Sequence, residues 1–484
     1  MIQRLAKNRD EAWPWLSAAS VALSLLMLAA LMSLLVVRGL GHFWPAPIEE
    51  VTLADGQVIA GHAVREAPLP DRPGHERLYY TANRDLDGAL WQWVALDAIQ
   101  TRSTPADLVL LDRASWGDFV GRLVAVVTPN ERLEGEAAWQ ALQQHLNQRN
   151  AVANGAPSSA ASGDSHVPGD TYLPGDTYLI VESVEGRRRQ QPLHDIHRAQ
   201  RPNAMSMGEN IQTWGGAVWR FLSQGPRAAN TGGGVWPAIF GTVLMVLLMS
   251  LLVTPFGVLA AIYLNEIAHQ GRLTRLVRIG VRNLAGVPSI VYGVFGLGVF
   301  VYGIGGSLDE WFFSDTLPSP TFGTGGLLWA SLTLALLTLP VVIVATEEGL
   351  ARIPDAQREG ALALGATRLE MLTRIVLPMA APAMLTGVIL AVARAAGEVA
   401  PLMLVGVAKL APQMPLDGEF PYLHLERKFM HLGYHIFDTA FHGEDVQAAL
   451  PLVYATALLL VLIVLVLNLT AIFLRHHLRR ERGN

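Results

Sequence analysis

The chain has 484 residues, of which 51% are hydrophobic and only 16% are charged. Soluble globular proteins average about 25% charged residues, so this composition excludes a wholly soluble protein and indicates that lipid is part of the solvent. The net charge of −5 says little about partners. Because the chain has no cysteine, any domain outside the cytoplasm must fold without disulfides.

Six apolar stretches are long enough to cross a membrane as helices, which takes about 20 residues each. They predict an all-α polytopic membrane protein with six transmembrane helices. The stretches are residues 16–37, 235–264, 284–304, 327–346, 381–407 and 449–474. An alternative for the first stretch is a secretory signal. Its apolar run is long and no small-residue cleavage site follows it, so we expect an uncleaved anchor.

Charges in the short loops predict the orientation of the spans. Arginines concentrate between the second and third spans, between the fourth and fifth spans, and in the basic tail, residues 475–484. The loop after the third span carries Asp309 and Glu310 and no basic residue. Cytoplasmic loops are the ones enriched in Arg and Lys. We therefore expect both termini, residues 1–15 and the tail, in the cytoplasm.

Residues 38–230 separate the first two spans and are predicted to form a periplasmic insert domain. Short alternating stretches around a turn at Asp55-Gly56 are typical of strands, whereas residues 116–150 have a more helical pattern. Residues 154–170 are rich in glycine, alanine and serine and predict a flexible linker. The sequence thus predicts a mixed α/β extracytoplasmic domain, and its role stays open.

A polar loop lies between the fourth and fifth spans, within residues 347–378. Pro354 suits the first turn of a helix, where its missing N–H has no partner, and Gly365 suits a left-handed stop. Thr367 and Glu370 have the spacing of a capping box that opens a second helix. We therefore predict two short helices hinged at Gly365 and facing the cytoplasm.

Leucines on these two predicted helices supply apolar surface that needs a partner. That partner is either the ends of the protein's own helices or a separate subunit, and the residues alone do not decide between them. The leucines are Leu362, Leu364, Leu369 and Leu372.

Arg394 and Glu398 place two opposite charges inside the fifth apolar stretch. An arginine at mid-bilayer costs about 2.5–3.5 kcal/mol on insertion scales, and residues four apart share one helix face. One interpretation is an ion pair that only lowers the insertion cost. The other is a substrate path, because intramembrane charges usually face a bundle interior or a water-filled cavity.

The chemistry of this pair suits a protonated oxyanion. A guanidinium fork matches the oxygens of a tetrahedral oxyanion. The neighbouring carboxylate repels a fully deprotonated anion such as sulfate, but it accepts a hydrogen bond from an anion that still carries a proton. Inorganic phosphate near neutral pH is such an anion, although the pair does not single it out.

The polar loop resembles the EAA loop of ABC importer permeases. The shared pattern is Glu-Gly-Ala, three residues, Gly, nine residues, and Ile-x-Leu-Pro, with Gly where the family has Ala at the second position. The matching residues are Glu359, Gly360, Ala361, Gly365, Ile375, Leu377 and Pro378. The resemblance implies that this loop, including Leu362, is a coupling helix that docks on an ATPase subunit.

Three further stretches resemble phosphate-importer permeases of the PstA type: RAAGEVAPL from Arg394, residues 283–297 and residues 331–350. The resemblance implies a type I permease domain over residues 235–474 in a bacterial inner membrane, with Arg394 and Glu398 as its intramembrane charged pair. It also implies a heterodimer with a homologous permease, two ATPase subunits that hold ATP and Mg, and a periplasmic phosphate-binding protein. The insert departs from the shorter family members and leaves docking of the binding protein open.

Other functions make different demands on the sequence. No Gly-x-x-x-x-Gly-Lys-Ser/Thr loop occurs, so we expect no ATPase site and no cofactor bound by this chain. A sulfate or phosphonate importer is the near rival. An ion-coupled secondary transporter typically shows inverted repeats with paired broken helices, which we do not see, and an inward-signalling receptor is a third class.

Histidines gather in the last loop before the sixth span. They are His424, His431, His435 and His442. Metal binding needs further ligands in a fixed geometry, so we expect surface or interfacial histidines there.

Overall fold

The computed structural model describes residues 2–69, 73–87, 90–114, 117–129, 131–155, 177–227, 232–411, 413–442 and 446–481. The chain divides into two compact units, a membrane unit and an insert unit. The membrane unit comprises Met1–His42 and Arg220–Asn484, and the insert unit is Phe43–Trp219. The predicted fold class, a helical polytopic protein with an added domain that contains strands, is confirmed.

The helices of the described residues are numbered along the chain. They are α1 Ile2–Gly41, α2 Arg84–Asp87, α3 Gly135–Gly155, α4 Met207–Ser223, α5 Trp236–Ile262, α6 Arg272–Leu284, α7 Ser289–Phe295, α8 Gly306–Phe312, α9 Leu327–Ala351, α10 Asp355–Ala363, α11 Arg368–Met371, α12 Leu377–Gly397, α13 Ala400–Val405, α14 Leu432–Phe441 and α15 Val446–Glu481. Three π-helical segments extend or join them: Tyr263–Ile267, Gly296–Gly305 and Leu372–Val376.

The insert contains two antiparallel sheets. The first has the order β4-β3-β2-β1-β5 and the second β10-β9-β7-β6-β11, with β8 paired to β7. The strands are β1 Glu49–Leu53, β2 Val58–Pro68, β3 His75–Tyr80, β4 Trp91–Ala95, β5 Ile99–Ser103, β6 Leu108–Arg113, β7 Phe119–Val127, β8 Arg132–Glu134, β9 Tyr178–Glu182, β10 Arg188–Pro192 and β11 Ile196–Gln200. Before α5, β12 Pro226–Arg227 pairs with β13 Gly232–Gly233.

The two sheets repeat one topology. In each, four strands pair in succession and a fifth strand returns to pair with the first, after a 3-10 turn at Leu96–Ala98 or at Leu193–Asp195. Each sheet also has a glycine whose backbone lies close to the neighbouring strand. A Cβ on Gly61 or Gly121 would collide with a carbonyl oxygen of that strand. The insert is therefore a structural duplication of one five-stranded unit, with α3 and β8 added to the second copy.

The predicted linker at residues 154–170 starts too early, because α3 continues to Gly155. Residues 156–170 of that prediction lie outside the described residues.

A buried ion pair fixes the second sheet of the insert. Arg113 donates from Nη1 and Nη2 to the two carboxylate oxygens of Asp85, both at 2.9 Å, and the two side chains are 0% and 1% exposed. Arg189 donates to the same carboxylate at 2.8 Å. The fork-to-fork geometry is the strongest form of this pair.

We expect Arg113→Met to destabilise the insert by about 1.5–3 kcal/mol, because Asp85 keeps Arg189 but loses its bidentate partner in the interior. Limited proteolysis of the purified chain at increasing temperature measures this. Arg188→Met is the matched control. Its pair with Glu182 is largely exposed, so its effect should stay below about 1 kcal/mol, and equal protease sensitivity of the two variants would contradict the prediction.

The membrane unit has six helical segments that are long and apolar enough to cross a membrane among the described residues, as predicted. They are Trp15–Gly41, Trp236–Ile267, Ser289–Phe312, Leu327–Ala351, Arg368–Gly397 and Ala449–Phe473. The fourth is the most buried, with the second and fifth packed on it around Met245, Leu334 and Ala395. This arrangement makes α9 the centre of the membrane unit.

The third and fifth spans begin or end away from their predicted limits of 284–304 and 381–407. The third starts at Ser289, because proline disfavours helical geometry in the residue before it and Pro288 stands there. The fifth starts at Arg368 and ends at Gly397, followed by the separate short helix α13. Pro401 explains that end, since its ring clashes with the carbonyl four residues earlier in a continuous helix.

Candidate functional site

Arg394 and Glu398 lie on the two sides of a break in the fifth span. Arg394 is in the last turn of α12, and Glu398 directly follows Gly397 with an extended backbone, φ −79° and ψ 130°. The prediction that both charges share a continuous helix face is therefore wrong. They still approach each other, with 3.5 Å between Nε of Arg394 and Oε1 of Glu398.

This contact leaves most of the guanidinium uncommitted. A separation of 3.5 Å is longer than an ordinary charge-assisted hydrogen bond, and it is the only ion pair that either side chain makes among the described residues. The side chains are 33% and 21% exposed. The geometry fits a weak pair that an oxyanion can enter better than a closed pair that serves insertion alone.

The break is held in place by its neighbours. A Cβ on Gly293 of the third span would lie 2.7 Å from Cα of Pro401, so α13 sits directly against α7. The N–H of Gly326, before α9, donates to the carbonyl of Val405 at 3.0 Å. Non-helical backbone is tolerated at membrane depth only where protein or a water-filled cavity surrounds it. The position of Glu398 is thus set by the third and fourth spans.

The loop between the fourth and fifth spans has the predicted hinge. Gly365 has φ +86°, the left-handed conformation that favours glycine. The capping box is confirmed, since the N–H of Glu370 donates to Oγ1 of Thr367 at 3.2 Å and the N–H of Thr367 donates to the Glu370 carboxylate at 3.0 Å. The second helix differs from the prediction, because α11 continues through a π-helical turn into the fifth span.

Side chains of this loop divide into an outward and an inward set. Leu364, Leu369 and Leu362 are 91%, 70% and 42% exposed, so their apolar surface is not covered by the part of the chain that the structure describes. Glu359, Gly360 and Gly365 are also exposed, whereas Ala361 is buried and Leu372, Ile375, Leu377 and Pro378 are half-buried. Ala361, Leu372 and Ile375 pack in one apolar cluster with Leu350 and Met371.

Two ion pairs beside this loop were not predicted from the sequence. Arg358 pairs with Glu266, and Arg278 pairs with Glu347. Both acids lie at span ends that adjoin arginine-rich loops, and this position could have indicated that they form ion pairs. Nothing in the sequence indicated which arginine meets which acid.

The four histidines of the last loop have different surroundings. His424 lies between Asp417 and Glu426, at 3.1 and 3.0 Å. His431 is buried at the N-cap of α14, and His435 is buried on the helix itself. Among the residues that the structure describes, no group of three or more metal-binding side chains is present.

Comparisons with known proteins match the membrane unit. Residues 253–483 match the family described as "Binding-protein-dependent transport system inner membrane component". The chain is 32% identical over 265 residues to "Phosphate transport system permease protein PstA 1" of Mycobacterium tuberculosis, which covers 54% of this chain and 78% of that protein. It is 34% identical over 252 residues to "Phosphate transport system permease protein PstA" of Yersinia pestis, which covers 52% of this chain and 75% of that protein. The chain therefore belongs to the PstA-type family of ABC-importer permeases and is a multi-pass inner-membrane component of a binding-protein-dependent transport system.

Proposed function

We propose that this permease carries inorganic phosphate into the cell, past Arg394 and Glu398, in an importer driven by ATP. The observation that carries the proposal is the open ion pair at the break of the fifth span, 3.5 Å long and partly exposed. The names of its PstA relatives support the same substrate.

Arg394 and Glu398 have separate roles in binding the anion. Arg394 has one ion-pair partner among the described residues, at 3.5 Å, and its guanidinium fork matches two oxygens of a tetrahedral anion. Glu398 lies next to that position and accepts the hydrogen bond of a protonated oxygen. Phosphate near neutral pH supplies that proton and sulfate does not, so the carboxylate discriminates between two anions of similar shape.

We propose an orientation in which both termini and the loop with Gly365 face the cytoplasm and the insert, Phe43–Trp219, faces the periplasm. The arginine-rich loops support it. On the cytoplasmic side, the exposed Leu364 and Leu369 dock on an ATPase subunit, and ATP and Mg bind to that subunit. A homologous permease, a second ATPase and a periplasmic phosphate-binding protein complete the complex.

Uptake of labelled phosphate into vesicles that contain the assembled complex tests the proposal. We expect uptake that requires ATP and that excess sulfate does not inhibit. Phosphate uptake that sulfate inhibits fully would show that the path does not discriminate between the two oxyanions. Uptake driven by an ion gradient without nucleotide would indicate a secondary transporter.

Glu398→Gln tests the selectivity assigned to the carboxylate. The amide no longer repels a fully charged anion, so sulfate should become an inhibitor of phosphate uptake, with its inhibition constant lowered roughly tenfold or more. Competition in the same vesicles measures this constant. Glu310→Gln, an exposed acid at the end of α8, is the matched control and should leave it unchanged. Selectivity that stays intact in Glu398→Gln would contradict the assignment.

A further inference from the structure

Arg358 bonds α10, the helix before Gly365, to the ends of two membrane spans. Nε and Nη2 of Arg358, on α10, donate to the two carboxylate oxygens of Glu266 at 3.3 and 2.9 Å. Glu266 lies in the π-helical turn that ends the second span. The same guanidinium donates to the carbonyl of Leu350, in the last turn of α9, at 2.9 Å and to that of Ile353, just after the helix, at 2.6 Å. Arg358 thereby joins α10 to the second and fourth spans at once.

A second arginine makes the reciprocal connection. Arg278, on α6, donates from Nε to Glu347 of α9 at 3.0 Å and from Nη2 to the carbonyl of Leu264 at 2.9 Å. Arg358 thus uses a carboxylate of the second span and carbonyls at the end of the fourth, and Arg278 does the reverse. Both acids are largely buried, at 8% and 11% exposure, so salt screens these pairs little.

Gly365 lies between two short helices, α10 and α11, that are attached to different spans. Before it, α10 is held on the ends of α5 and α9 by Arg358 and by the buried side chain of Ala361. After it, α11 is continuous with the fifth span, which carries Arg394. Gly365 thus connects α10, which Arg358 ties to the second and fourth spans, with α11, which belongs to the fifth span.

We propose that Arg358 is a positioning residue that makes α10 one mechanical body with the ends of the second and fourth spans. This inference rests on the proposed function, in which an ATPase subunit pushes on the loop. With Arg358 in place, a displacement of α10 carries the two spans along and opens or closes the break beside Arg394. Without it, α10 slides on the span ends, and ATP is hydrolysed with little transport.

The test measures phosphate imported per ATP hydrolysed, in vesicles that contain the assembled complex. Arg358→Gln and Glu266→Gln should lower this ratio roughly tenfold, while the ATPase subunit still copurifies and hydrolyses ATP. The exchange Arg358→Glu with Glu266→Arg should recover part of the ratio, because it restores the ion pair but loses the bonds to the two backbone carbonyls. Arg275→Gln, at an exposed arginine one turn before Arg278, is the matched control and should keep the wild-type ratio.

An unchanged ratio in both single variants would overturn the proposal, as would a fall of equal size in Arg275→Gln. If Arg358→Gln does not assemble, Arg358→Lys decides, since it keeps the charge and loses the fork. A wild-type ratio in Arg358→Lys would overturn the proposal and a lowered one supports it. A wild-type complex that hydrolyses ATP but imports no phosphate would refute the proposed substrate instead. The role of Arg358 is then tested by the same ratio, measured with the oxyanion that the complex does import.

Discussion

Arg394→Gln should reduce ATP-dependent phosphate uptake at least about a hundredfold while the complex still assembles, because the anion then enters the membrane without its charged partner. The native contact with Glu398 is 3.5 Å long and both side chains are partly exposed. Removing one partner therefore leaves no fully buried charge, and the fold should survive. Uptake of labelled phosphate, normalised to the amount of complex in the vesicles, measures the effect.

Arg394→Lys separates charge from geometry. Lysine keeps the positive charge but presents a point charge in place of a planar fork, so uptake should be intermediate. Arg475→Gln is a matched control at the far end of α15, where Arg475 donates to Thr386 at 3.1 Å. Normal uptake in Arg394→Gln would remove this residue from the substrate path.

Leu364→Glu combined with Leu369→Glu should detach the ATPase subunit and abolish ATP-dependent uptake. These leucines are 91% and 70% exposed and contribute little to the fold of this chain. If they dock in a groove, a carboxylate at each position must be buried without a partner. We expect the affinity for the ATPase subunit to fall roughly a hundredfold or more, measured by copurification at several salt concentrations.

Leu410→Glu is the matched control for this pair. It places the same charge on an exposed leucine of the loop between α13 and α14, which the proposed orientation puts on the other side of the membrane. Attachment should be unchanged. An ATPase subunit that stays bound to the double variant would mean that the leucines face something other than the motor.

Local rules predicted much of the membrane unit. Apolar length alone located six spans, because a helix is the one open-chain structure that satisfies its backbone in lipid. The hinge followed from Gly365 and from the Thr367–Glu370 capping box, whose hydrogen bonds lie within a few residues of each other. These features depend on neighbouring residues, which is the information that a sequence displays directly.

The remaining features depend at least partly on distant residues. Pro401 indicates a break in the fifth span, since its ring would clash with the carbonyl of Gly397 in a continuous helix, but the packing of α13 on Gly293 is visible only in the fold. The duplication of the insert was not predicted, and it becomes visible only in the strand order that the two sheets share. Arg358 and Glu266 are 92 positions apart, and only the fold brings them together.

In the proposed function, this chain moves phosphate only while a separate subunit, docked on the loop around Gly365, hydrolyses ATP. The most direct measurement is phosphate uptake into vesicles that contain the permease pair and the binding protein, with and without the ATPase subunit and ATP. We expect uptake only when the ATPase subunit and ATP are both present, and its loss in the variant that combines Leu364→Glu with Leu369→Glu. Equal uptake without the ATPase subunit would contradict it.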